Sequence, residues 1–364
     1  MDRRSFIKSA GVAAGATAAT TLAAPAVAQG RIEMVIVSTW PRDFPGLGVS
    51  AQRLAARIGE VTDGRINVQY FAAGERVGAF DSFDEVASGN AQAYIAADYY
   101  WKGKHPGWAP FTAIPFGLTY TEIDAWIKYG GGQALWDEIA GEFGLKNFAC
   151  GNTGVQMGGW FNKLIESPDD LKGLKMRIPG LGGDVLAKLG ASPVSLPGSQ
   201  IYENLVSGAV DATEWVGPYN DFFMKFYEAA KYYYWPGMHE PGSQLAFGMN
   251  ASWWGTLSKT DQAILEACCN EENARQMAET NANNGTYLAR LISEHGVELR
   301  EFNDDVYDAF GEAAEEVIEE ARDHSDLSKR IFDSCLSARQ DIGGWMAKAD
   351  VAYSVKRNDV VGID

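Results

Sequence analysis

Two blocks of alternating strand and helix patterns constrain this chain more than any other feature of its 364 residues. The first opens with Ile32-Glu33-Met34-Val35-Ile36-Val37-Ser38, an apolar run of strand length, and continues through a Pro/Gly loop from Pro41 to Gly48. Val49, Leu54, Ala55 and Ile58 then recur at helical spacings until Thr62-Asp63-Gly64 stops them. Ile66 to Phe71 alternates as a strand does, Phe80 to Ser88 reads as a helix ended by Gly89, and Ala91 to Ala97 as a third strand. The second block starts at Asn147-Phe148-Ala149-Cys150 and takes in a short strand from Gly173, closed by Pro179. Helices over 183–189 and 199–207 follow, and a strand over 210–215 ends the block. Units of this length imply mostly parallel sheets with helices on their faces. Gln244 to Asn250 reads as a strand returning to the first block, ahead of long helices over 258–295 and 304–321. A chain of this size exceeds one ordinary core, so two lobes are expected.

Before the first strand stands Met1-Asp2-Arg3-Arg4-Ser5-Phe6-Ile7-Lys8, then a weakly apolar run from Ala10 to Ala24 ending in Ala26-Val27-Ala28. This is the pattern of an export signal, residues 1–28, cleaved after Ala28. The paired arginines point to the twin-arginine route rather than ordinary secretion, and so to the periplasm. No later stretch reaches the roughly 18 apolar residues that a spanning helix needs.

The formal net charge is −17, and loss of the signal, with three bases and one acid, makes it more negative. Clustered Lys and Arg are what nucleic acid or an anionic membrane requires, so neither is expected as partner. An anionic ligand would have to be held by local donors. The four cysteines (Cys150, Cys268, Cys269, Cys335) make no disulfide framework in a chain this long and read as small buried residues. The four histidines have no zinc or haem spacing, and the chain lacks G-x-S-x-G and a G-x-G-x-x-G after the first strand. No enzyme is expected.

The informative segments are Asp170-Leu171-Lys172-Gly173-Leu174-Lys175-Met176-Arg177-Ile178-Pro179, Leu189-Gly190-Ala191-Ser192-Pro193-Val194 and Tyr202-Glu203-Asn204-Leu205-Val206-Ser207-Gly208-Ala209-Val210-Asp211-Ala212. Together, in this order and spacing, they resemble the signature of the solute-binding subunits of tripartite ATP-independent periplasmic (TRAP) transporters, the DctP family, and most of all its α-keto-acid-binding type. The resemblance implies an α/β, periplasmic-binding-protein-like fold, two lobes with mixed sheets around a ligand cleft, plus a long C-terminal helix. Lobe I would comprise 29–150 and 242–285, lobe II 151–241 and 286–327, and a helical extension 328–364. The implied function is capture of a small 2-oxo monocarboxylate such as pyruvate for TRAP membrane subunits. An ABC-type organic-acid-binding protein and a periplasmic cofactor enzyme are the alternatives.

Arg177 matches the family's carboxylate-binding arginine. It lies in a short apolar strand, where a buried guanidinium needs a partner, and its planar fork suits a carboxylate. The plainer reading is an internal ion pair with Asp or Glu. Glu214 falls at the carboxyl end of its strand, where open α/β sheets bind ligands. Trp215 beside it either walls the cleft or fills the core. Gln156 lies in a glycine-dense stretch, Thr153 to Trp160, where backbone can approach a ligand closely. Glu240 precedes the return strand, and Tyr100 follows the strand over 91–97 as the first lobe's contribution. Arg177, Gln156, Trp215 and Tyr100 are thus the candidate substrate contacts. If Glu214, Glu240 and a bound carboxylate share the cleft, three negative charges face the single charge of Arg177, so a cation is expected. Oxygen donors from Glu214, Glu240, Gln156 and a backbone carbonyl near Trp215 suit Na+ first and Ca2+ second. Beyond His324, Ile331, Phe332, Cys335, Ile342, Trp345, Met346, Ala349 and Tyr353 form an apolar stripe. A two-lobe monomer has no evident need to bury it, so a homodimer is expected.

Overall fold

The computed structural model describes residues 30–363; the expected signal with its arginine pair lies outside the described residues. Strand β1 (Ile32–Ser38) is parallel to β2 (Ile66–Phe71) on one side and β3 (Ala93–Ala96) on the other. Between β1 and β2, helix α1 (Leu47–Val61) buries Leu47, Ala51, Leu54, Ala55 and Ile58 at the three- and four-residue spacings of one face. Helix α2 (Ser82–Ala87) leads to β3, and a 3₁₀ turn over Asp98–Trp101 follows it. Two helices that the strand-helix patterns did not reveal, α3 (Tyr120–Tyr129) and α4 (Gly132–Glu142), come before β4 (Leu145–Asn152).

The second sheet is built from short strands: β5 (Gly159–Phe161), β6 (Lys175–Arg177), β7 (Ser192–Val194), β8 (Ala212–Thr213) and β9 (Tyr232–Trp235). Helices α5 (Gly180–Lys188) and α6 (Gly198–Val206) provide the parallel crossovers among β6, β7 and β8, and α7 (Pro218–Met224) follows β8. The chain then returns as β10 (Gln244–Asn250), antiparallel between β3 and β4, which makes the first sheet mixed with order β2-β1-β3-β10-β4. After α8 (Ala251–Thr256), helix α9 (Lys259–His295) runs along β4 and α1 and on to α7, spanning both units. Strand β11 (Glu298–Glu301) completes the second sheet, in the order β11-β9-β5-β8-β6-β7. Two α/β units with mixed sheets are therefore joined by two crossing segments, 153–158 and 236–243, with α9 laid across both. Among the described residues no helix is long and apolar enough to cross a membrane.

The C-terminal stripe needs correction. Helix α10 (Asp304–Arg322) is followed by two helices, α11 (Asp326–Met346) and α12 (Asp350–Val361). Leu327, Ile331, Phe332, Cys335 and Ala338 are buried within this same chain, where α11 packs against α3, α4 and the Pro106–Phe111 turn. Only the later part is uncovered: no residue of α12 is buried, and Trp345, Val351, Tyr353 and Val355 are exposed. The paired Gly343-Gly344 stays helical. A side chain at 343 would come within 3.1 Å of the Glu122 carboxylate of α3. All four cysteines are buried and free.

Candidate functional site

The site forms where the ends of β6 and β8 meet the two crossing segments. Arg177 ends β6 in register with Thr213 of β8, and sheet pairing stops there: Glu214 N makes one last bond to Arg177 O at 3.2 Å. The expected strand over 210–215 is therefore cut to two residues, which frees Glu214 and Trp215 from the pleat. Both Arg177 and Glu214 are 1% exposed, so neither charge is screened by water. Arg177 Nη1 pairs with Glu214 Oε1 and also donates to the Glu214 carbonyl at 3.2 Å, while Nε donates to Leu196 O at 3.0 Å. The internal ion pair that stood as the plainer reading thus exists. It does not exhaust the guanidinium, since Nη2 is buried with no partner among the described residues.

From the first crossing segment comes Gln156, buried, whose Nε2 donates to Glu240 Oε2 at 2.6 Å and to Thr153 Oγ1 at 3.1 Å. The second segment is tied to the first by backbone bonds: Gln156 N to Glu240 O at 3.0 Å and Gly237 N to Gln156 O at 3.1 Å. Glu240 is buried too. Glu240 Oε1 and Gln156 Oε1, both buried acceptors, lack a partner among the described residues. The glycines near Gln156 serve packing. At Gly159, with φ +120°, a side chain would collide with the Thr213 carbonyl of the neighbouring strand, so the stretch is glycine-dense for the sheet's sake.

The sequence reading missed His239, which is 3% exposed and places Nε2 3.3 Å from Glu214 Oε2. An ionised carboxylate can only accept, so Nε2 carries the proton. Glu214, His239 and Glu240 each offer a ligating atom within 4.8 Å of the others. Burial, and then the neighbouring charge of Glu214, push the Glu240 carboxyl up to about 7. For His239, burial works to lower the pKa, but the hydrogen bond and charge of Glu214, helped by Glu240, raise it on balance. The count of one positive group against the carboxylates therefore omitted an imidazole. Its signal was adjacency to Glu240 in Met238-His239-Glu240-Pro241-Gly242.

Trp215 is both buried and part of the wall. Its ring meets Trp40 at 6.2 Å and Phe44 at 6.1 Å, both edge-on from the first unit, and the Arg177 guanidinium lies 5.3 Å from its centroid. Trp215 Nε1 is another buried donor without a partner among the described residues. Tyr100 stands across from β6, 6.0 Å from Trp40, and its hydroxyl pKa is raised by burial while the Arg177 charge opposes the rise. Trp40 and Phe44 had not been singled out, because an aromatic residue in a Pro/Gly loop carries no pattern that separates contact from packing. A cavity of about 240 Å³ lined by Tyr99, Tyr100, Ile178, Gly180, Asp184 and Val194 adjoins the cluster at the junction of the units.

Arg177, Glu214, Gln156, Glu240, Trp215 and Tyr100 thus converge on one buried region. Its unpartnered groups fall into two kinds: donors from Arg177 and Trp215, and acceptor oxygens from Glu240 and Gln156. The first kind suits an anion. The second suits a hard cation, which carboxylate and amide oxygens bind without nitrogen or sulfur.

The family described as bacterial extracellular solute-binding protein, family 7 (DctP) matches residues 36–324. The monocarboxylate 2-oxoacid-binding periplasmic protein of Nostoc sp. is 36% identical, over 97% of this chain and 98% of that protein. A TRAP periplasmic solute-binding protein from Pseudoalteromonas atlantica, solved with sodium and pyruvate, is 38% identical at TM-score 0.86, covering 89% of this chain and 98% of its own. One from Bordetella bronchiseptica, solved as a mixed-occupancy dimer with calcium and picolinate in one active site, is 34% identical at TM-score 0.89, covering 92% and 99%.

Proposed function

Because this chain belongs to family 7 of the bacterial extracellular solute-binding proteins, DctP, we propose that it captures a 2-oxo monocarboxylate such as pyruvate together with a cation, for delivery to TRAP membrane subunits from the periplasm. Family membership displaces the ABC-type alternative. The observation that carries the reading is the pairing of opposite needs in one buried site: unpartnered Arg177 Nη2 and Trp215 Nε1 beside unpartnered Glu240 Oε1 and Gln156 Oε1. A burial cost of this kind is offset when a partner of opposite character arrives. Arg177 Nη2 would take the ligand carboxylate through a charge-assisted bond, with the Trp215 indole donating alongside. Glu214, Glu240 and Gln156 would hold the cation through oxygen. Two carboxylates and an acid anion exceed what Arg177 and His239 together can balance, a cation there supplies the remaining positive charge, and a 2-oxo acid can chelate it through its carboxylate and keto oxygens. We propose sodium first and calcium second; the relatives solved with sodium and pyruvate and with calcium and picolinate support either. Trp40, Phe44 and Tyr100 close the first unit over the ligand, and no chemistry is assigned to any of these groups.

The test is calorimetry of ligand-stripped protein with pyruvate, in sodium buffer and in chelator-treated choline buffer. Binding that weakens at least tenfold, about 1.4 kcal/mol, without the cation is expected. Equal affinity in both would remove the cation, and no binding of any 2-oxo acid would refute the ligand class.

We also propose a homodimer through α12. The exposed Val351, Tyr353 and Val355, a groove of about 410 Å³ lined by Pro115, Phe116, Ile318 and Leu336, and the dimer of the Bordetella relative support it.

A further inference from the structure

We infer that His239 is the positioning residue of the cation site: it holds Glu214 so that the carboxylates of Glu214 and Glu240 face one point. This rests on the reading of the cluster as a cation and acid site.

Glu214 is gripped from two sides. Arg177 Nη1 takes Oε1 and His239 Nε2 takes Oε2 at 3.3 Å, which restrains the plane of the carboxylate while each oxygen keeps a lone pair. His239 and Glu240 are consecutive, so the same turn that supplies one carboxylate supplies the donor that orients the other. That turn is fixed. Phe116 N donates to Met238 O at 2.9 Å, Gln156 N to Glu240 O at 3.0 Å, and Gly237 N to Gln156 O at 3.1 Å. The imidazole is wedged from behind by α5, where a side chain at Gly182 would come within 2.6 Å of His239 Cβ. Without the imidazole, Glu214 would keep Arg177 alone and its second oxygen could swing away from Glu240, because two like charges this close repel. A hydrogen bond from a residue outside the ligand set is the usual means by which such a site keeps its geometry.

The experiment uses the full mature chain and reads the sodium dependence of pyruvate affinity by calorimetry, with melting in cation-free choline buffer as a separate readout. His239→Met removes the donor and fills its place with an apolar side chain; His239→Gln returns an amide N–H near the Nε2 position. His239→Met is expected to raise the sodium concentration needed for half-maximal effect by roughly 10- to 100-fold, with His239→Gln restoring most of it. His239→Phe repeats the donor loss in case the methionine variant does not fold. Glu214→Gln is the reference. If Glu214→Gln leaves the sodium dependence unchanged, the cation reading itself fails. If Glu214→Gln shifts it but His239→Met does not, or if His239→Gln is as impaired as His239→Met, the positioning role is overturned.

Discussion

Replacing Arg177 by lysine keeps the charge and removes the fork, and the structure says what is lost. The guanidinium has three tasks in three directions: Nε on Leu196 O, Nη1 on the Glu214 carboxylate and carbonyl, and Nη2 left over for the ligand. A lysine ammonium is one point at the end of a flexible stem. Attracted to the buried Glu214, it would abandon Leu196 O and could reach the ligand only by loosening the ion pair. Losing a hydrogen bond to a charged group costs about 1.5–3 kcal/mol, so pyruvate affinity is expected to fall roughly 10- to 100-fold. Leu196 O, which is only half-buried, would lose its partner too, at a cost of at most ~1 kcal/mol of stability, which melting of the ligand-free protein separates from the binding loss. Calorimetry in sodium buffer decides the matter. An Arg177→Lys protein that melts about as the parent does and binds pyruvate within about twofold would show that the carboxylate is held elsewhere.

Three further outcomes are expected. Asp98 is fully buried, accepting from Tyr94 Oη, Trp136 Nε1 and Asn147 Nδ2, and burial pushes its pKa up to about 6 against those bonds. A raised carboxyl adds stability that is present below its ordinary pKa and lost as pH rises to about 6, a difference of about 3 kcal/mol. Urea unfolding from pH 4 to 7 should therefore show that pH-dependent part vanish in Asp98→Asn, and an unchanged profile would refute it. Lys102 and Asp184 form, among the described residues, the one ion pair directly joining the β1–β4 unit to the β5–β9 unit, with side chains 30% and 46% exposed. An exposed pair contributes at most about 1 kcal/mol, so Lys102→Met should speed pyruvate release up to about fivefold by stopped flow; an unchanged rate would mean the pair does not hold the units closed. Deleting residues 347–364, which carry α12, should leave the fold intact and convert a dimer to a monomer in light scattering, whereas a monomeric full-length chain would defeat the dimer.

Local pattern was enough wherever the signal is local. The residues of β1 and β10 stand where their apolar runs place them, and α1 and α9 end at the expected stops, because periodicity and helix termination are written within one or two turns of chain. Arg177 and Glu214 were conspicuous for a similar reason: a charge in an apolar strand or at a strand's end must have a partner. Which partner it has is a matter of space. That Arg177 meets Glu214, that His239 holds Glu214's other oxygen, and that Gln156 and Glu240 bind across the two crossing segments depend on register between β6 and β8 and on segments 84 residues apart. The three- and four-residue strands β5 and β9 escaped notice because runs so short carry too few residues to show alternation, and only pairing identifies them. The C-terminal stripe shows the same division most plainly. Its spacing announced a helix, but whether Ile331 and Phe332 face this chain while Tyr353 faces outward was decided by where α3 and α4 lie, since burial is a property of neighbours and not of sequence position.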